Sequence, residues 1–501
     1  MGAMKLPTHL LRLALFAAAL LAALDPAQAA PAGQVVFPHA FAPSEGWVKP
    51  PEMPMRQEMC LNGSWRFQPV AVPAGWERGQ GTAPDLTPPV PTRWEATALK
   101  VPSPWNVNAF NQGDGGDFRC YPSYPKAWDA MEMGWIERSF HVPAAWRGRR
   151  LILHFEAVAG DAVVSVNGRP VAHNFDLFLP FEADVTDAVT FGGVNMVRVG
   201  VRKASLFNDT RTTGSRPYPA GSFWGQAVAG IWQDVFLIAV PAVRATETYV
   251  KPEVARDMLT AEVTLRNDTS RAQTVQVGGS VQPWVNGAGR DVRLAPEPRW
   301  HLAPAVLGLP LQSVKLAPGT SKTVTLHQKV GGRLRFWTPD APNLYGLTVS
   351  VSRGGQVEDK EYTRFGWREF SFRGDRQLLN GKPFELRGDS WHFLGIPQMT
   401  RRYAWSWFTM LHAAHANAVR LHAQPYPRFY LDVADEMGIC VLDETSNWGS
   451  DGQHKYDAPD FWKRCDDQLD RLVLRDRNHP SVFGWSVSNE VAWFVDRGRH
   501  P

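Results

Sequence analysis

From Gly366 onwards the chain alternates strand-like runs with helix-length segments, and this order constrains the possible folds more than any other feature. Helices are predicted over residues 402–415, 428–437 and 459–475, between the apolar runs PFELRGDS, NAVRLH, ICVLDE and VFGWSVSN. A β-α-β-α order predicts parallel strands that are joined by right-handed crossovers. Such strands build half of a (β/α)8 barrel. We therefore expect residues 366–501 to form the first half of a TIM barrel, with about strands one to four.

Polar side chains end every predicted strand of this region. In barrel enzymes the loops at the carboxyl ends of the strands hold the active site. Ionisable groups at the mouth of an apolar strand cost folding energy unless they are paired or used. The sequence therefore predicts one shared pocket. Its candidate residues are Asp389, Trp391 and His392 after strand one, Arg420 and His422 after strand two, Asp443 and Glu444 after strand three, and Asn489 and Glu490 after strand four.

Two blocks of short strands precede the barrel region. Residues 61–240 contain apolar runs separated by turn residues, such as RLILHFEAV and DVFLIAV, and predict a first β-sandwich. Asn167-Gly168 follows the alternating run AVVSV, which predicts a tight hairpin turn. Residues 241–365 contain runs such as TAEVTLRN, at a spacing that suits a smaller immunoglobulin-like sandwich. Residues 30–60 begin with a stretch rich in Pro, Ala and Gly, and we expect a leader or linker there.

Two segments of the barrel region resemble signatures of glycoside hydrolase family 2. Residues 417–444, NAVRLHAQPYPRFYLDVADEMGICVLDE, are similar to the first signature, and residues 476–490, DRNHPSVFGWSVSNE, are similar to the second. Upstream, LNGSWRFQ and VSVNGRPV resemble the family's sugar-binding jelly-roll domain. The resemblance implies a multidomain β plus α/β protein with a jelly-roll sandwich, an immunoglobulin-like sandwich and a TIM barrel. It also implies a retaining exo-β-glycosidase that hydrolyses O-glycosidic bonds at the non-reducing ends of oligosaccharides.

The same resemblance suggests roles for the residues at the end of strand four. Glu490 would be the acid/base, which protonates the leaving oxygen and then deprotonates the attacking water. Asn489 would donate a hydrogen bond to the sugar 2-hydroxyl. The alternative is that these two residues only cap a following helix, a position in which both residue types are favoured.

Further substrate-binding candidates surround this pair. Arg420 has the rigid fork needed to orient a carboxylate in the site, or it forms a structural salt bridge. Glu444 either binds a sugar hydroxyl or pairs with Arg420. His392 matches the last His of the family's strand-one motif, which contacts substrate, or it is a structural residue whose hydrogen bonds are satisfied within the protein. The remaining candidates are proposed from predicted loop position alone, and they are His422, Asp389, Trp391 and Trp448, the last as a stacking platform or a packing residue.

The sequence also departs from the family pattern. Pro425 replaces the usual His after strand two, which leaves the sugar open. Phe393 stands where an acidic residue is common, so we predict neither a metal site nor a cofactor. The family nucleophile is a Glu at the end of strand seven, for which the 501 residues offer no counterpart. We therefore expect a portion of a longer product that is inactive by itself. A non-catalytic carbohydrate-binding protein and an inactive fragment are the alternatives.

Composition and the N-terminus limit the partners and the compartment. The 53 basic and 49 acidic residues are mixed along the chain, without the basic stripe that binding of nucleic acid needs. Residues 1–29 combine Lys5 and Arg12 with an apolar run and end in Ala-Gln-Ala, which indicates a cleaved signal peptide and a periplasmic or extracellular protein. The apolar run is too short to span a bilayer. The sequence leaves open whether Cys60 and Cys120 pair, and it leaves the oligomeric state open.

Overall fold

The structure, a computed structural model, describes residues 45–78, 83–106, 124–208, 216–221, 224–287, 299–395, 398–448 and 458–490. The predicted signal peptide and Cys120 lie outside these residues. The described part of the predicted leader contains the first strand of a sheet, since Gln57–Cys60 pairs with residues 236–239. Ordered pairing therefore begins a few residues before Leu61.

The first sandwich consists of two antiparallel sheets. One has the order β1-β11-β5-β8, and the other has the order β10-β6-β9-β4-β2-β3 with β7 paired to β6. Its apolar core includes the fully buried rings of Trp65, Phe67, Trp105 and Trp128. The strands are β1 (Gln57–Cys60), β2 (Gly63–Val70), β3 (Leu99–Val101), β4 (Met133–His141), β5 (Arg150–Phe155), β6 (Val158–Val166), β7 (Arg169–Asp176), β8 (Phe181–Asp184), β9 (Val194–Arg202), β10 (Gly230–Ile231) and β11 (Val235–Val240).

The predicted hairpin at Asn167-Gly168 is confirmed. Val166 and Arg169 are paired across a two-residue turn between β6 and β7. Asn167 has a φ of 50° and Gly168 a φ of 80°, so both adopt the left-handed conformation that this kind of turn requires. Asn and Gly tolerate that conformation better than other residues do, which is why the dipeptide is a reliable hairpin signal.

The second sandwich has a three-stranded sheet, β12-β13-β17, and a five-stranded sheet, β15-β14-β20-β21 with β16 paired to β14. Alternate residues of β13, from Leu259 to Leu265, point into its core, as the alternating pattern predicts. The strands of this region are β12 (Val243–Glu253), β13 (Met258–Asn267), β14 (Gln273–Asn286), β15 (Trp300–Leu302), β16 (Leu307–Leu316), β17 (Ser321–Lys329), β18 (Trp337–Thr338), β19 (Ala341–Pro342), β20 (Leu344–Arg353) and β21 (Gln356–Gly366). Of these, β18 and β19 pair only with each other, in a separate two-stranded sheet.

After the sandwiches comes a parallel sheet with the order β25-β26-β27-β28. Strands that follow one another in the chain are neighbours in this sheet, as in the wall of a TIM barrel. A small antiparallel sheet precedes it, and its strands are β22 (Phe370–Arg373), β23 (Arg376–Leu379) and β24 (Lys382–Pro383). The parallel strands are β25 (Gly388–Trp391), β26 (Ala418–Leu421), β27 (Cys440–Glu444) and β28 (Val482–Ser486).

The α-helices are α1 (Trp224–Ala227), α2 (Arg401–Ala413), α3 (Phe429–Met437) and α4 (Pro459–Asp476). Short 3-10 helices lie at Pro50–Glu52, Lys126–Ala130, Ala144–Trp146, Ala204–Phe207 and Val254–Arg256. Helix α2 begins after Thr400, whose side-chain oxygen accepts a hydrogen bond from the Tyr403 N–H. Among the residues that the structure describes, no helix is both long and apolar enough to cross a membrane.

Two strand boundaries differ from the prediction. The predicted first strand, residues 383–390, is β25 in only its last part, because its first part belongs to the small antiparallel sheet. There the Phe384 N–H donates to the carbonyl oxygen of Gln377 at 3.1 Å. The fourth strand ends at Ser486, before Asn489, so the predicted site residues lie on the segment that follows the strand rather than on the strand itself.

The first sandwich packs directly against the parallel sheet. Leu177, Phe178 and Trp232 share one apolar core with Phe393 and with residues of α2, α3 and α4. The rings of Trp232 and Phe393 have centroids 5.8 Å apart. The sandwich therefore supports the segments that follow the parallel strands.

Candidate active site

The parallel register decides which side chains of strands β25–β28 can meet. Alternate side chains of a strand face opposite sides of the sheet, and paired residues of adjacent strands face the same side. Val419 and Leu421 lie in the apolar core that the sheet shares with its helices, so Arg420 between them faces the other side. The candidate site lies on that other side, away from the helices.

Asp389 and Trp391 are paired with Val419 and Leu421, and they therefore lie on the helix-facing side. The ring of Trp391 packs against Trp407 of α2, with ring centroids 5.5 Å apart, and Asp389 is exposed. The structure thus does not bring these two predicted substrate-binding residues into the site. The reason is the alternation of side chains along β25, which directs both residues to the helix-facing side.

Arg420 and Glu444 form a bidentate ion pair across β26 and β27. Arg420 Nε donates to Glu444 Oε2 and Arg420 Nη2 donates to Glu444 Oε1, both at 2.8 Å. The backbone N–H of Ala423, a residue with a φ of 53°, also donates to Glu444 Oε1. The Glu444 side chain is fully buried. Both carboxylate oxygens are therefore used within the protein, and of the two roles that the sequence left open for Glu444 the structure displays the pairing with Arg420.

The same guanidinium orients Asn489. Arg420 Nη2 also donates to Asn489 Oδ1, which fixes the direction of the side-chain amide. Asn489 Nδ2 is buried, and it has no hydrogen-bond partner among the residues that the structure describes. A buried N–H donor without a partner is costly, and a ligand hydroxyl would satisfy it.

Glu490 is exposed and is contacted by Trp448. The indole Nε1–H of Trp448 donates to Glu490 Oε2 at 2.8 Å. Trp448, proposed from sequence as a stacking platform, therefore presents its ring edge to this carboxylate. Glu490 has a φ of 53°, an uncommon left-handed conformation for a residue with a side chain. The residues that follow Glu490 lie outside the described part of the chain, so the helix-cap alternative stays a hypothesis.

Backbone hydrogen bonds hold the two segments that carry these residues side by side. The Thr445 N–H donates to the carbonyl oxygen of Ser486 at 3.0 Å, and the Thr445 hydroxyl donates to that of Val487 at 2.7 Å. Farther along, the Asn489 N–H donates to the Asn447 carbonyl oxygen at 2.8 Å. The pairing of β27 with β28 thus continues, in an irregular form, as far as the site.

His392 and His422 lie together at the ends of β25 and β26. Their ring centroids are 3.9 Å apart, with the ring planes inclined by 43°. Burial, followed by the neighbouring His392 and Arg420, lowers the pKa of His422 from its ordinary value of 6.5 to about 4. The charge of Glu490 acts in the opposite direction. His422 is therefore neutral near pH 7, able to act as donor or acceptor for a hydroxyl.

Two features of the site were not predicted from the sequence. Gln424 is fully buried, and neither of its side-chain amide atoms has a hydrogen-bond partner within the described part of the chain. Its position shortly after β26 could have indicated it, because the other candidate residues also follow strands of this sheet. The second feature is a contribution from the first sandwich, where the Gly221 N–H donates to the Ser446 carbonyl oxygen at 2.8 Å. No local pattern marks that contact, because it joins residues 225 positions apart (446 − 221).

One cluster among the described residues has ligand atoms close enough together for a metal ion. Asp432, Asp435 and His479 have ligand atoms within 4.8 Å of one another. The guanidinium of Arg364 already contacts both carboxylates, at 2.8 Å and 3.1 Å. The guanidinium of Arg364 therefore already pairs with both carboxylates, and the cluster is an ion-pair network.

Three family profiles match the chain. They are described as "Glycosyl hydrolases family 2, sugar binding domain" over residues 59–241, "Glycosyl hydrolases family 2" over residues 311–368, and "Glycosyl hydrolases family 2, TIM barrel domain" over residues 371–498. The third profile covers all the residues of the candidate site, and the first covers the sandwich that supports them.

Curated relatives align over most of the chain. A β-galactosidase of Priestia megaterium is 24% identical over 461 residues, which are 86% of this chain and 41% of the relative. A β-glucuronidase of Rattus norvegicus is 27% identical over 490 residues, which are 91% of this chain and 67% of the relative. The chain thus spans between about two fifths and two thirds of the length of these relatives.

Solved structures share the fold. A glycosyl hydrolase family 2 member from Bacteroides cellulosilyticus has a TM-score of 0.62 at 24% identity, over 88% of this chain and 54% of that one. A β-glucuronidase of Bacteroides uniformis has a TM-score of 0.66 at 20% identity, over 89% of this chain and 48% of that one. At these sequence identities, the structural similarity shows a shared fold and no more.

Proposed function

Since the chain belongs to glycoside hydrolase family 2, we propose that it carries the acid/base half of the active site of a retaining exo-β-glycosidase. The single observation that carries this proposal is the cluster in which Arg420 joins Glu444 to Asn489, directly beside Glu490. The names of the curated relatives, β-galactosidase and β-glucuronidase, support β-glycosides as the substrate class.

Glu490 acts as the acid/base in this proposal. Its carboxyl is exposed, so a glycosidic oxygen can reach it. It protonates the leaving oxygen in the first step, and its carboxylate then takes a proton from the attacking water. Retention of configuration also needs a carboxylate nucleophile about 5–5.5 Å from the acid/base. We assign that nucleophile to a residue outside the described part of the chain.

Glu444 is not suited to be this nucleophile. Its two oxygens accept hydrogen bonds from Arg420 and from the Ala423 N–H, and its side chain is fully buried. An attack on a sugar carbon would break the bidentate ion pair in the interior, which is costly because it leaves a guanidinium without its counter-charge. Glu444 is instead a positioning residue, which holds Arg420 so that Arg420 can hold Asn489.

Asn489 donates to the sugar 2-hydroxyl in this proposal. Arg420 occupies its Oδ1, and Nδ2 is left as the group that faces a ligand. A hydrogen bond to the 2-hydroxyl strengthens as the ring flattens in the oxocarbenium-like transition state. His392 and the neutral imidazole of His422 are candidates to bind further hydroxyls.

The proposal is tested with the complete product of the reading frame. Glu490→Gln should lower kcat/KM for aryl β-glycosides with poor leaving groups by roughly 10²–10⁴-fold, since general acid catalysis contributes about that much. Dinitrophenyl glycosides, which need no proton, should be affected far less in the first step. Azide should restore turnover with formation of a β-glycosyl azide, which is the sign of retention.

Asp389→Asn is the matched control, because this exposed carboxylate lies on the helix-facing side of the same sheet. It should leave all rates unchanged. Wild-type rates for Glu490→Gln on every poor leaving group would refute the acid/base assignment. If instead the wild-type protein binds glycans but hydrolyses no glycoside, the non-catalytic carbohydrate-binding alternative is favoured.

We also propose that the protein is exported to the periplasm or beyond. The support is the positively charged and apolar pattern of residues 1–29, which lie outside the described residues. Mass spectrometry of the protein from the producing cells should give a mature N-terminus at Ala30. An intact N-terminus in the cytoplasmic fraction would contradict export.

A further inference from the structure

We propose that Trp448 is a positioning residue for Glu490, and that its indole N–H determines which carboxyl oxygen carries the acidic proton. The proposal rests on the proposed role of Glu490 as acid/base and adds a second residue to that machinery. Trp448 does not need to touch the sugar for this role. Its part is to hold the carboxyl in one orientation through both steps of the reaction.

The chemistry of the indole gives the contact its direction. An indole N–H can only donate, so the oxygen it contacts must accept. Trp448 Nε1 is 2.8 Å from Glu490 Oε2, a normal distance for such a bond. The carbonyl oxygen of a carboxylic acid is a better acceptor than its hydroxyl oxygen, so this bond favours the acid form that has its proton on Oε1. Oε1 is therefore the atom that delivers the proton to the leaving oxygen and later accepts one from water.

The backbone makes this contact rigid. Trp448 and Asn489 form a parallel β-bridge, and the Asn489 N–H donates to the Asn447 carbonyl oxygen at 2.8 Å. The indole and the carboxylate are thus carried by neighbouring segments that are tied together directly beside them. Glu490 itself has the left-handed φ of 53°, a conformation that persists where the surroundings enforce it and that is enriched at active sites.

Charged and titratable groups of the described residues also lie near Glu490. On β26, Arg420 directs its guanidinium to Glu444 of β27 and to Asn489. His422 is neutral near pH 7, because its pKa is lowered to about 4. His392, at the end of β25, packs against His422 with its ring plane tilted. The indole N–H is accordingly a donor aimed directly at the carboxylate, and a donor to the charged form stabilises it.

This stabilisation has a defined consequence for the pH profile. The acid/base must be protonated when the glycosidic bond breaks, so its ionisation sets the basic limb of kcat/KM. Removing a donor to the ionised form raises the pKa of the carboxyl. Trp448→Phe keeps an aromatic ring but loses the N–H. It should move the basic limb upward by about one pH unit, and it should lower kcat/KM for poor leaving groups by about tenfold, since each pKa unit corresponds to a tenfold change in equilibrium.

The control removes an indole hydrogen bond elsewhere. Trp135 of β4 donates its Nε1–H to the Thr87 carbonyl oxygen at 2.7 Å, in the first sandwich. Trp135→Phe should leave the pH profile unchanged. In the complete product, with p-nitrophenyl and dinitrophenyl glycosides, the Trp448→Phe effect should appear with the poorer leaving group and largely vanish with the better one. A loss that is equal for both would indicate a packing role and overturn the proposal.

A second measurement does not need the variant to fold. In protein labelled with 5-fluorotryptophan, one ¹⁹F resonance of the wild type should titrate with the same pKa as the basic limb, and Glu490→Gln should abolish that titration. Absence of such a resonance overturns the role of Trp448. If Glu490→Gln retains full activity, the proposed function fails instead. If it is inactive while Trp448→Phe keeps the wild-type profile, only the positioning proposal fails.

Discussion

Arg420 donates through Nε and Nη2 to different oxygens of Glu444, both at 2.8 Å, and this bidentate pair connects strands β26 and β27 beneath the candidate site. The Glu444 side chain is fully buried, whereas 31% of the Arg420 side chain is exposed. Glu444 is therefore the buried member of the pair, and the partly exposed Arg420 is the member that contacts Asn489. It couples the stability of the sheet to the orientation of a proposed substrate-binding amide.

We expect Glu444→Gln to lower the apparent free energy of unfolding by about 3–5 kcal/mol, because it leaves the guanidinium without its buried partner. Urea unfolding followed by tryptophan fluorescence measures the effect. Asp467→Asn is the control, since Asp467 pairs with Lys463 on the surface with 56% and 70% of the two side chains exposed. That change should cost no more than about 0.5 kcal/mol. Equal costs for the two variants would mean that the Arg420 pair is not a buried interaction.

We expect Asn489→Ala to lower kcat/KM roughly 100-fold on a full substrate, because a preorganised donor to the transition state is lost. With a 2-deoxy glycoside the same substitution should have little further effect, since the hydroxyl that Nδ2 contacts is already absent. A double-mutant cycle of variant against substrate measures this coupling. Additive losses would show that Asn489 does not contact the 2-hydroxyl.

The lowered pKa of His422 makes a testable contribution to pH-dependent stability. In the unfolded chain this imidazole takes up its proton below its ordinary pKa of 6.5, whereas in the folded protein it stays neutral down to about pH 4. The unfolded state binds more protons in this interval, so stability falls as the pH falls from 6.5 towards 4 and is unaffected by this group above 6.5.

His422→Asn should therefore reduce the difference between the melting temperatures at about pH 7 and about pH 5, because the linkage between this group and folding is removed. Differential scanning fluorimetry at the two pH values gives the difference. His415→Asn is a suitable comparison, because His415 is exposed and Asn tolerates its left-handed φ of 58°. If the His422 variant shows the same difference in melting temperature between the two pH values as the wild type, the lowered pKa of His422 is contradicted.

Gly221 connects the first sandwich to the site, and we expect Gly221→Ala to disturb both. Its φ is +70°, and a Cβ there would lie 2.9 Å from Phe178 Cζ and 3.2 Å from the Ala423 carbonyl oxygen. Gly319→Ala is the control that measures only the cost of the left-handed backbone, since Gly319 has a φ of +65° and open space around it. The control should cost about 1–2 kcal/mol and leave kcat unchanged. Gly221→Ala should cost more and lower kcat. Identical behaviour of the two variants would argue against a contact that matters for the site.

Much of the barrel region was predictable because its signals are local. The order of strands and helices after Gly366 follows from hydrophobic periodicity, and the parallel sheet β25–β28 confirms it. Asn489 and Glu490 are consecutive residues that follow an apolar strand, so their closeness can be read directly from the sequence. Their neighbours Arg420, Glu444, His392 and His422 were predicted because each follows or ends such a strand.

The side of the sheet was harder to predict than the order of the strands. Asp389 and Trp391 lie at the end of β25, as expected, but they are paired with Val419 and Leu421 on the helix-facing side. A shift of one position moves a side chain to the other side of a sheet, because side chains alternate along a strand. Periodicity alone did not place the start of β25, since residues 382–384 pair with the small antiparallel sheet instead.

The sequence by itself determined that a parallel sheet follows two sandwiches and that polar residues gather where its strands end, because burial patterns are local along the chain. Only the tertiary structure decided what those residues do to one another. The use of both Glu444 oxygens by its neighbours, the indole of Trp448 at Glu490, and the contact of Gly221 with Ser446 all join residues far apart in sequence. Such contacts depend on register, on side-chain direction and on the docking of domains, which no local pattern encodes.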